Sequence, residues 1–384
     1  MPPFEHAGRA RGDPCVTIPA VAGETLTLRA LNRATLARQL LLEREGLDVV
    51  DAVERVGGLQ AQEAKPPFIG LWTRLRDFRR EQLHEALHQR SVVRATLMRA
   101  TLHLVSAADY VRLRAALQPV LQAAMAAVRG RDQGLDVDRV VPAARRLLDE
   151  RPRTFGDLRG RLAEEFPGVD ERALGYATRM HLPLAMVASD DRWSFPGDTP
   201  FVPAESWLGA ELARADPEAL VRRHLGAFGP ATAADVQTWS GLPGLARVLA
   251  GMEDELEVFA YGRRKLYDLP GAPRPGEDVP APIRLLPEFD SLLLAHKDRT
   301  RVITDEQRRS LATRNLRIKA VFLVDGFAGG SWSMARKRAT ATLSIAPFAR
   351  LDERVRDELA AEGEALLRFA EPDAADRRVE FSVA

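Results

Sequence analysis

Two stretches carry side chains whose types and spacing could do chemistry. In Leu59-Gln60-Ala61-Gln62 two carboxamides stand two residues apart. In an extended chain such residues face the same way, so Gln60 and Gln62 present their amides side by side while Ala61 points back into the protein. Each amide accepts a hydrogen bond through oxygen and donates through nitrogen. The same stretch, closed by Pro66-Pro67, also reads as a polar turn. The second stretch, His84-Glu85-Ala86-Leu87-His88, matches H-E-x-x-H. On a helix it sets two imidazoles one turn apart beside a glutamate able to activate a zinc-bound water, the arrangement of a metalloprotease. The longer H-E-x-x-H-x-x-G-x-x-H pattern does not follow, and Asp109 or His103 would have to close the site. Leu83 and Leu87 make the apolar stripe of this short helix and leave the histidines on its flank, so no metal is expected.

These stretches sit in a chain of 384 residues, 46% hydrophobic, enough for two to four domains with cores of their own. No run of 18 apolar residues indicates a transmembrane helix, and no charged-then-apolar leader indicates secretion. The single cysteine, Cys15, leaves no internal disulfide or cysteine zinc cage, which points to the cytosol. A net charge of +1 demands no polyanionic partner. Of the 55 basic residues only five are Lys, and Arg is the better bidentate phosphate ligand. Genome composition accounts for that bias equally well, and with 54 acidic residues any DNA-binding face must be a local patch.

The positioning elements follow from periodicity. Residues 1–26 read as a flexible leader. In a first unit, 27–132, helices at Leu31–Glu45 and Val49–Val56 end at Gly57-Gly58, because glycine enters left-handed conformations without penalty. Helices at Phe68–Phe78 and Glu81–Gln89 and a hairpin of Val92–Leu97 with Thr101–Val105 complete the order of a winged helix. A long helix, Asp109–Arg129, leads to a second unit, 133–212, with helices Val137–Glu150, Thr154–Phe166 and Asp170–Met186 and a wing strand at Arg192–Phe195. A third unit, 213–272, repeats the plan with Pro217–Phe228, Thr232–Ser240 and Pro243–Met252, then strands Leu256–Tyr261 and Lys265–Leu269. After a Pro/Gly linker, 281–384 turn β-rich: Ile283–Leu286, Ala320–Val324, Ser331–Met334 and Ala339–Ile345, one helix at Leu351–Phe369 and a last strand Arg378–Val383. The fold class expected is α+β: tandem winged-helix modules followed by a barrel-like C-terminal domain.

In this order, Leu59-Gln60-Ala61-Gln62, Met98-Arg99-Ala100-Thr101-Leu102-His103-Leu104, Leu286-Pro287-Glu288-Phe289-Asp290, His296-Lys297-Asp298-Arg299 and Gly330-Ser331-Trp332 resemble the bacterial AlkZ and YcaQ-type DNA glycosylases, from Leu31 to the C-terminus. The resemblance implies tandem winged helices forming a concave DNA surface and excision of alkylated bases. Gln62 in the second position matches the AlkZ branch, which unhooks interstrand crosslinks; the YcaQ branch carries Asp there. Ala100 stands where the pattern leads one to expect Gly.

The implied activity is that of a monofunctional glycosylase acting as a monomer on damaged double-stranded DNA, without a cofactor. An N7-alkylguanine or N3-alkyladenine already carries positive charge and leaves unaided. The protein then has only to hold one water below C1′ and place carbonyl dipoles near the developing cation, a task assigned jointly to Gln60 and Gln62. Candidate DNA contacts are Arg94, Arg99 and His103 in the first hairpin, Arg179 and His181 in the second unit, and Lys297, Arg299 and Arg301 beyond the linker. A base tethered to the opposite strand cannot rotate into a deep pocket, so the site should be open. A winged-helix regulator without chemistry is the alternative on the same scaffold.

Overall fold

The computed structural model describes residues 23–311 and 319–382. Cys15 and most of the expected leader lie outside these residues, as does Val383. The first unit runs β1 (Glu24–Thr25), α1 (Leu28–Arg38), α2 (Val49–Arg55), β2 (Leu59–Gln60), α3 (Pro66–Trp72), α4 (Arg80–His88), β3 (Val92–Thr96), β4 (Leu102–Ser106), α5 (Ala107–Leu113) and α6 (Gln118–Ala123). Next come α7 (Val137–Glu150), α8 (Phe155–Glu165), α9 (Glu171–His181), β5 (Leu184–Met186), β6 (Phe201–Pro203) and α10 (Ala204–Leu208). The third unit holds α11 (Pro217–Phe228), α12 (Ala233–Ser240), α13 (Leu245–Gly251), β7 (Glu257–Tyr261) and β8 (Arg264–Asp268). The C-terminal part holds β9 (Arg284–Leu286), α14 (Asp305–Leu311), β10 (Val321–Val324), β11 (Phe327–Lys337), β12 (Thr340–Pro347), α15 (Glu353–Ala370) and β13 (Asp376–Phe381). Among the described residues no helix is long and apolar enough to cross a membrane.

The central sheet has the order β2-β4-β3-β5-β6 and draws strands from the first two units, so these share one sheet. A separate small sheet has the order β1-β7-β8, in which Glu24 and Thr25 pair in parallel with Phe259 and Ala260. Those two residues, assigned to the leader by composition, are therefore structured. The C-terminal sheet, β13-β12-β11-β10-β9, is open, not the barrel expected: β13 and β9 are its two edges. Leu359, Leu366 and Leu367 of α15 pack with Leu285, Phe322, Leu343 and Ile345 and bury one face of the sheet. A covered face removes the need for closure.

Three other expectations are corrected by local chemistry. The first helix stops at Arg38 because Leu40 turns left-handed, φ 56°, which sends Leu40 and Leu41 into two different cores. The long helix at Asp109–Arg129 is broken into α5, α6 and a 3-10 turn at Ala124–Val128. Pro119 near the start of α6 has no N–H to continue the ladder. The wing strand at Arg192–Phe195 is a turn with Ser194 at φ 62°, and Phe201–Pro203 supplies the strand instead, paired with Leu184–Met186.

Candidate active site

Strand β2 is two residues long and lies at the edge of the central sheet, where Leu59 pairs with Leu104 and Gln60 with His103. Gly57 and Gly58 feed it from the end of α2 with φ 73° and 85°. A Cβ on Gly58 would sit 2.8 Å from the side chain of Val105, so glycine is what lets the chain close onto β4. Past Gln60 the Ala61 N–H still donates to the Leu102 carbonyl at 2.7 Å, and the Ala61 methyl is buried in the core of the first unit. Gln60 is 8% exposed, whereas Gln62 is exposed. The Leu102 N–H approaches the Gln62 Oε1 at 3.4 Å. One amide is thus seated in the sheet edge and the other faces solvent.

Arg99 fixes the seated amide. At the tip of the β3–β4 hairpin, Arg99 and Ala100 are both left-handed, φ 55° and 56°. This turn aims the guanidinium at Gln60, whose Oε1 accepts from Nη2 at 2.7 Å. Arginine has no acceptor, so the carbonyl oxygen of Gln60 faces it and the NH₂ group faces away. The same guanidinium donates to the Trp239 carbonyl and lies 3.4 Å from His103 Nε2. His103 Nδ1 donates to the Thr101 carbonyl at 3.1 Å, which leaves a bare Nε2 to accept from Arg99. Burial, with the Arg99 charge adding to it, pushes His103 down to about 3, so its imidazole is neutral at physiological pH. Gly241, the left-handed end of α12, would place a Cβ 3.2 Å from the Arg99 backbone. The third unit therefore braces the hairpin tip from behind.

Arg94 braces the glutamine stretch itself. Nε and Nη2 donate to the carbonyls of Ala61 (2.9 Å) and Gln62 (3.2 Å), and the guanidinium lies 4.8 Å from the centroid of the Phe195 ring. Burial pushes Arg94 and Arg99 each down to about 10, Glu63 opposing this for Arg94 and Arg299 reinforcing it for Arg99. Both remain charged near neutrality.

Three of the expected DNA contacts are buried. Arg94, His103 and Arg301 are 5%, 0% and 5% exposed, and their polar atoms serve internal partners. Arg301 donates to the Pro230 carbonyl at 3.0 Å and to Thr35 Oγ1 at 3.2 Å. Arg99, Arg179 and Arg299 are half-buried and Lys297 is exposed. Arg179 donates through Nε to Thr96 Oγ1 at 3.0 Å and shares a groove with Arg99, while Arg299 stands close enough to depress Arg99. Lys297 lines a different cavity, with Asp235 and Arg264, and His181 donates from Nδ1 to the Ala177 carbonyl. The structure gathers Arg94, Arg99, Arg179 and Arg299 around the glutamines and leaves Lys297, Arg301 and His181 apart.

The remaining motifs are structural joints. Asp290 receives both Nη groups of Arg74 at 2.9 Å, a buried fork-to-fork pair between the turn after α3 and the C-terminal part. His296 donates to the Phe228 carbonyl at 3.0 Å. His84 meets the Arg192 carbonyl at 3.3 Å and His88 meets Asp190 at 3.2 Å. Both candidate third ligands are engaged elsewhere, Asp109 with Arg223 and His103 with Arg99. Absent from the sequence-based candidates are Phe195, Thr96, Trp239 and Tyr176. Of their surroundings only Gly241 carries a local signal, as the glycine that ends α12.

Known proteins share sequence and fold with this chain. A family model described as DNA glycosylase AlkZ-like matches residues 53–369. The interstrand DNA cross-link repair glycosylase of Streptomyces sahachiroi is 27% identical over 332 residues, covering 82% of this chain and 88% of that protein. The solved structure of the Streptomyces sahachiroi DNA glycosylase AlkZ aligns with a TM-score of 0.75 at 22% identity, over 93% of this chain and 100% of that one, a likeness of fold. Because the family model spans most of the chain, including both glutamines and the hairpin that holds them, this protein belongs to the AlkZ-like family of DNA glycosylases, hydrolases of N-glycosyl bonds.

Proposed function

We propose that the chain hydrolyses the N-glycosidic bond of N7-alkylguanine and N3-alkyladenine in duplex DNA, with Gln60 and Gln62 holding the attacking water, and that its substrates include bases crosslinked across the two strands. The observation that carries this reading is the fixed amide of Gln60. Its oxygen is turned to Arg99 and its NH₂ group away from Arg99, two residues from an exposed second amide. Water adds to C1′ as the bond from C1′ to the base nitrogen breaks, the electron pair of that bond neutralises the cationic base, and the proton passes to solvent. No base catalyst is required, because the leaving group is already activated. The NH₂ group of Gln60 donates to the water and fixes its position, while the carbonyl dipole of Gln62 stabilises the developing positive charge at C1′.

The edge location supports crosslinks as substrates: a base tied to the opposite strand needs a site it can reach without full rotation out of the duplex. The Streptomyces sahachiroi relative bears the name interstrand DNA cross-link repair glycosylase. In this reading the three helical units grip duplex DNA as winged helices, and Arg299 and Lys297 meet phosphates.

The test is single-turnover incubation with an N7-methylguanine duplex and then a nitrogen-mustard crosslinked duplex, followed by alkali to reveal abasic sites. Gln60→Ala and Gln62→Ala should each lower excision by about two powers of ten, the ~3 kcal/mol that a positioned nucleophile contributes. Duplex affinity should stay within a few-fold. Unchanged excision in the double variant would remove the catalytic assignment.

A further inference from the structure

Immediately beyond Arg99 the surface opens into a groove of about 330 Å³ that nothing in the chemistry above uses. One wall is the left-handed tip Arg99-Ala100, and the other is Tyr176 and Arg179 of α9. Ala124, Ala126 and Ala127, from the 3-10 turn that follows α6, line it as well. These alanine side chains end at Cβ, so the room above them exists because nothing larger stands there. Arg99 Nη2 touches Gln60 Oε1 at 2.7 Å, and Arg99 is also part of the groove wall; one side chain separates the two places. Neither Arg99 nor Arg179 forms an ion pair with a carboxylate among the described residues; their side-chain donors serve Gln60, the Trp239 carbonyl and Thr96.

We infer that this groove receives the substituent carried by the alkylated base and favours large planar substituents over methyl; the inference rests on the reading of the chain as an alkylpurine glycosylase. When C1′ lies at the glutamines, the departing base and whatever is attached to it must occupy neighbouring space, and the groove is the neighbouring space. Its volume is at the lower end of sites that hold small organic molecules and far exceeds what a methyl group fills. Tyr176 offers a ring for stacking, with the Arg172 guanidinium 5.7 Å from its centroid, and the Arg99 and Arg179 guanidiniums are planar and free of carboxylates. A phosphate track would instead need hydrogen-bond donors along its length, which alanine side chains do not supply. The groove is open, so a substituent that continues to the opposite strand can leave through its mouth.

The experiment compares two duplexes that differ only in the substituent, N7-methylguanine and N7-benzylguanine, under single-turnover conditions. Ala127→Leu narrows the groove at an exposed position where the fold tolerates a larger side chain. Excision of the benzyl lesion should fall at least about tenfold, while excision of the methyl lesion stays within about twofold. Tyr176→Ala should move the same ratio in the same direction by a few-fold, and Tyr176→Phe, which keeps the ring, should restore it. A thermal melt of each variant checks that the fold is intact. Equal loss on both lesions would mean that the groove docks a DNA strand, and no loss on either would mean that it is idle; each result overturns the inference. Failure of the unmodified protein to release either base would remove the glycosylase reading and this inference with it.

Discussion

Arg99 decides which way the amide of Gln60 lies, and removing it is the sharpest test of a catalysis that depends on orientation. Arg99→Met keeps an unbranched apolar stem and loses every donor. Three acceptors are released: Gln60 Oε1, the Trp239 carbonyl and His103 Nε2. A hydrogen bond to a charged donor contributes about 1.5–3 kcal/mol, and the 2.7 Å bond to Gln60 is well placed for it. Without that bond the amide divides between its two flips and several side-chain rotamers. Loss of a ~2 kcal/mol orienting preference corresponds to a ~10–30-fold drop in the rate of base release. The buried His103, left with an unpaired acceptor, should also lower stability by about 1–3 kcal/mol.

An opposing effect must be separated from this one. The guanidinium is positive, and a positive charge near C1′ disfavours an oxocarbenium, so its removal alone would accelerate the reaction. Arg99→Lys keeps the charge but loses the planar fork, since one ammonium cannot reach Gln60 and Trp239 together. If orientation governs, both variants excise N7-methylguanine at least about tenfold more slowly. If charge governs, the Met variant is faster than the wild type and the Lys variant is close to it. The measurement is single-turnover release with protein in excess, with duplex affinity taken separately by fluorescence anisotropy. A Met variant that releases base at the wild-type rate, or whose whole defect lies in affinity, would refute the argument.

Four further outcomes are expected. Excision should be nearly flat from about pH 6 to 8, because neither glutamine titrates and the neighbouring His103 is pushed down to about 3 by burial and the Arg99 charge; a steep acid limb in the wild type would assign the chemistry to a titrating group. Stability should fall on acidification: burial depresses His103 to about 3, His224 to about 4, and His296 well below its usual value, Arg301 reinforcing the last. Unfolded, these groups bind protons near pH 6.5, so stability is full above that pH and declines below it by ~1.4 kcal/mol per pH unit per histidine until the folded groups titrate; a thermal midpoint constant from pH 7 to 5 would contradict this. Ala100→Gly should stabilise the hairpin tip by about 1 kcal/mol, read as a higher urea midpoint, since it relieves a left-handed alanine at φ 56°. His84→Ala and His88→Ala should leave excision unchanged and the purified protein without stoichiometric zinc; one zinc per chain, lost in either variant, would revive the metalloprotease reading.

The glutamine stretch was legible because its signals are local. Paired glycines after α2 require left-handed backbone, and the residue between two same-facing glutamines must go inward; the structure has Gly57 and Gly58 at positive φ and Ala61 in the core. The same holds for the caps, where Thr154, Asp170 and Thr232 start helices by accepting from the N–H groups that follow. The errors are equally physical. Pro119 was enough to break the Asp109–Arg129 helix, and the turn at Ser194 obeys contacts that no window of sequence contains. Strand β6 finds its partner β5 across 14 intervening residues of turn and loop, where periodicity carries no information.

Arginine was the residue least legible of all, and the reason lies in its acceptors. Arg94 serves carbonyls 32 and 33 positions away, Arg99 a carbonyl 140 positions away, and Arg301 a hydroxyl 266 positions away. A guanidinium reads the same in sequence whether it awaits a phosphate or already holds a backbone oxygen. In this family member the two uses meet: Arg94 gives Nε and Nη2 to the glutamine stretch and is buried, whereas Arg179 gives Nε to Thr96 and is half-buried beside the groove. The division has a consequence for substitution. Arg94→Ala should lower excision by misplacing Ala61 and Gln62 with little change in the salt dependence of duplex binding, because a buried guanidinium releases no counterion on binding. Arg179→Ala should weaken duplex binding and reduce its salt slope by about one if it meets a phosphate. An unchanged slope would place Arg179 on the lesion rather than on the backbone. A reduced slope in the Arg94 variant would show that its burial gives way when DNA binds.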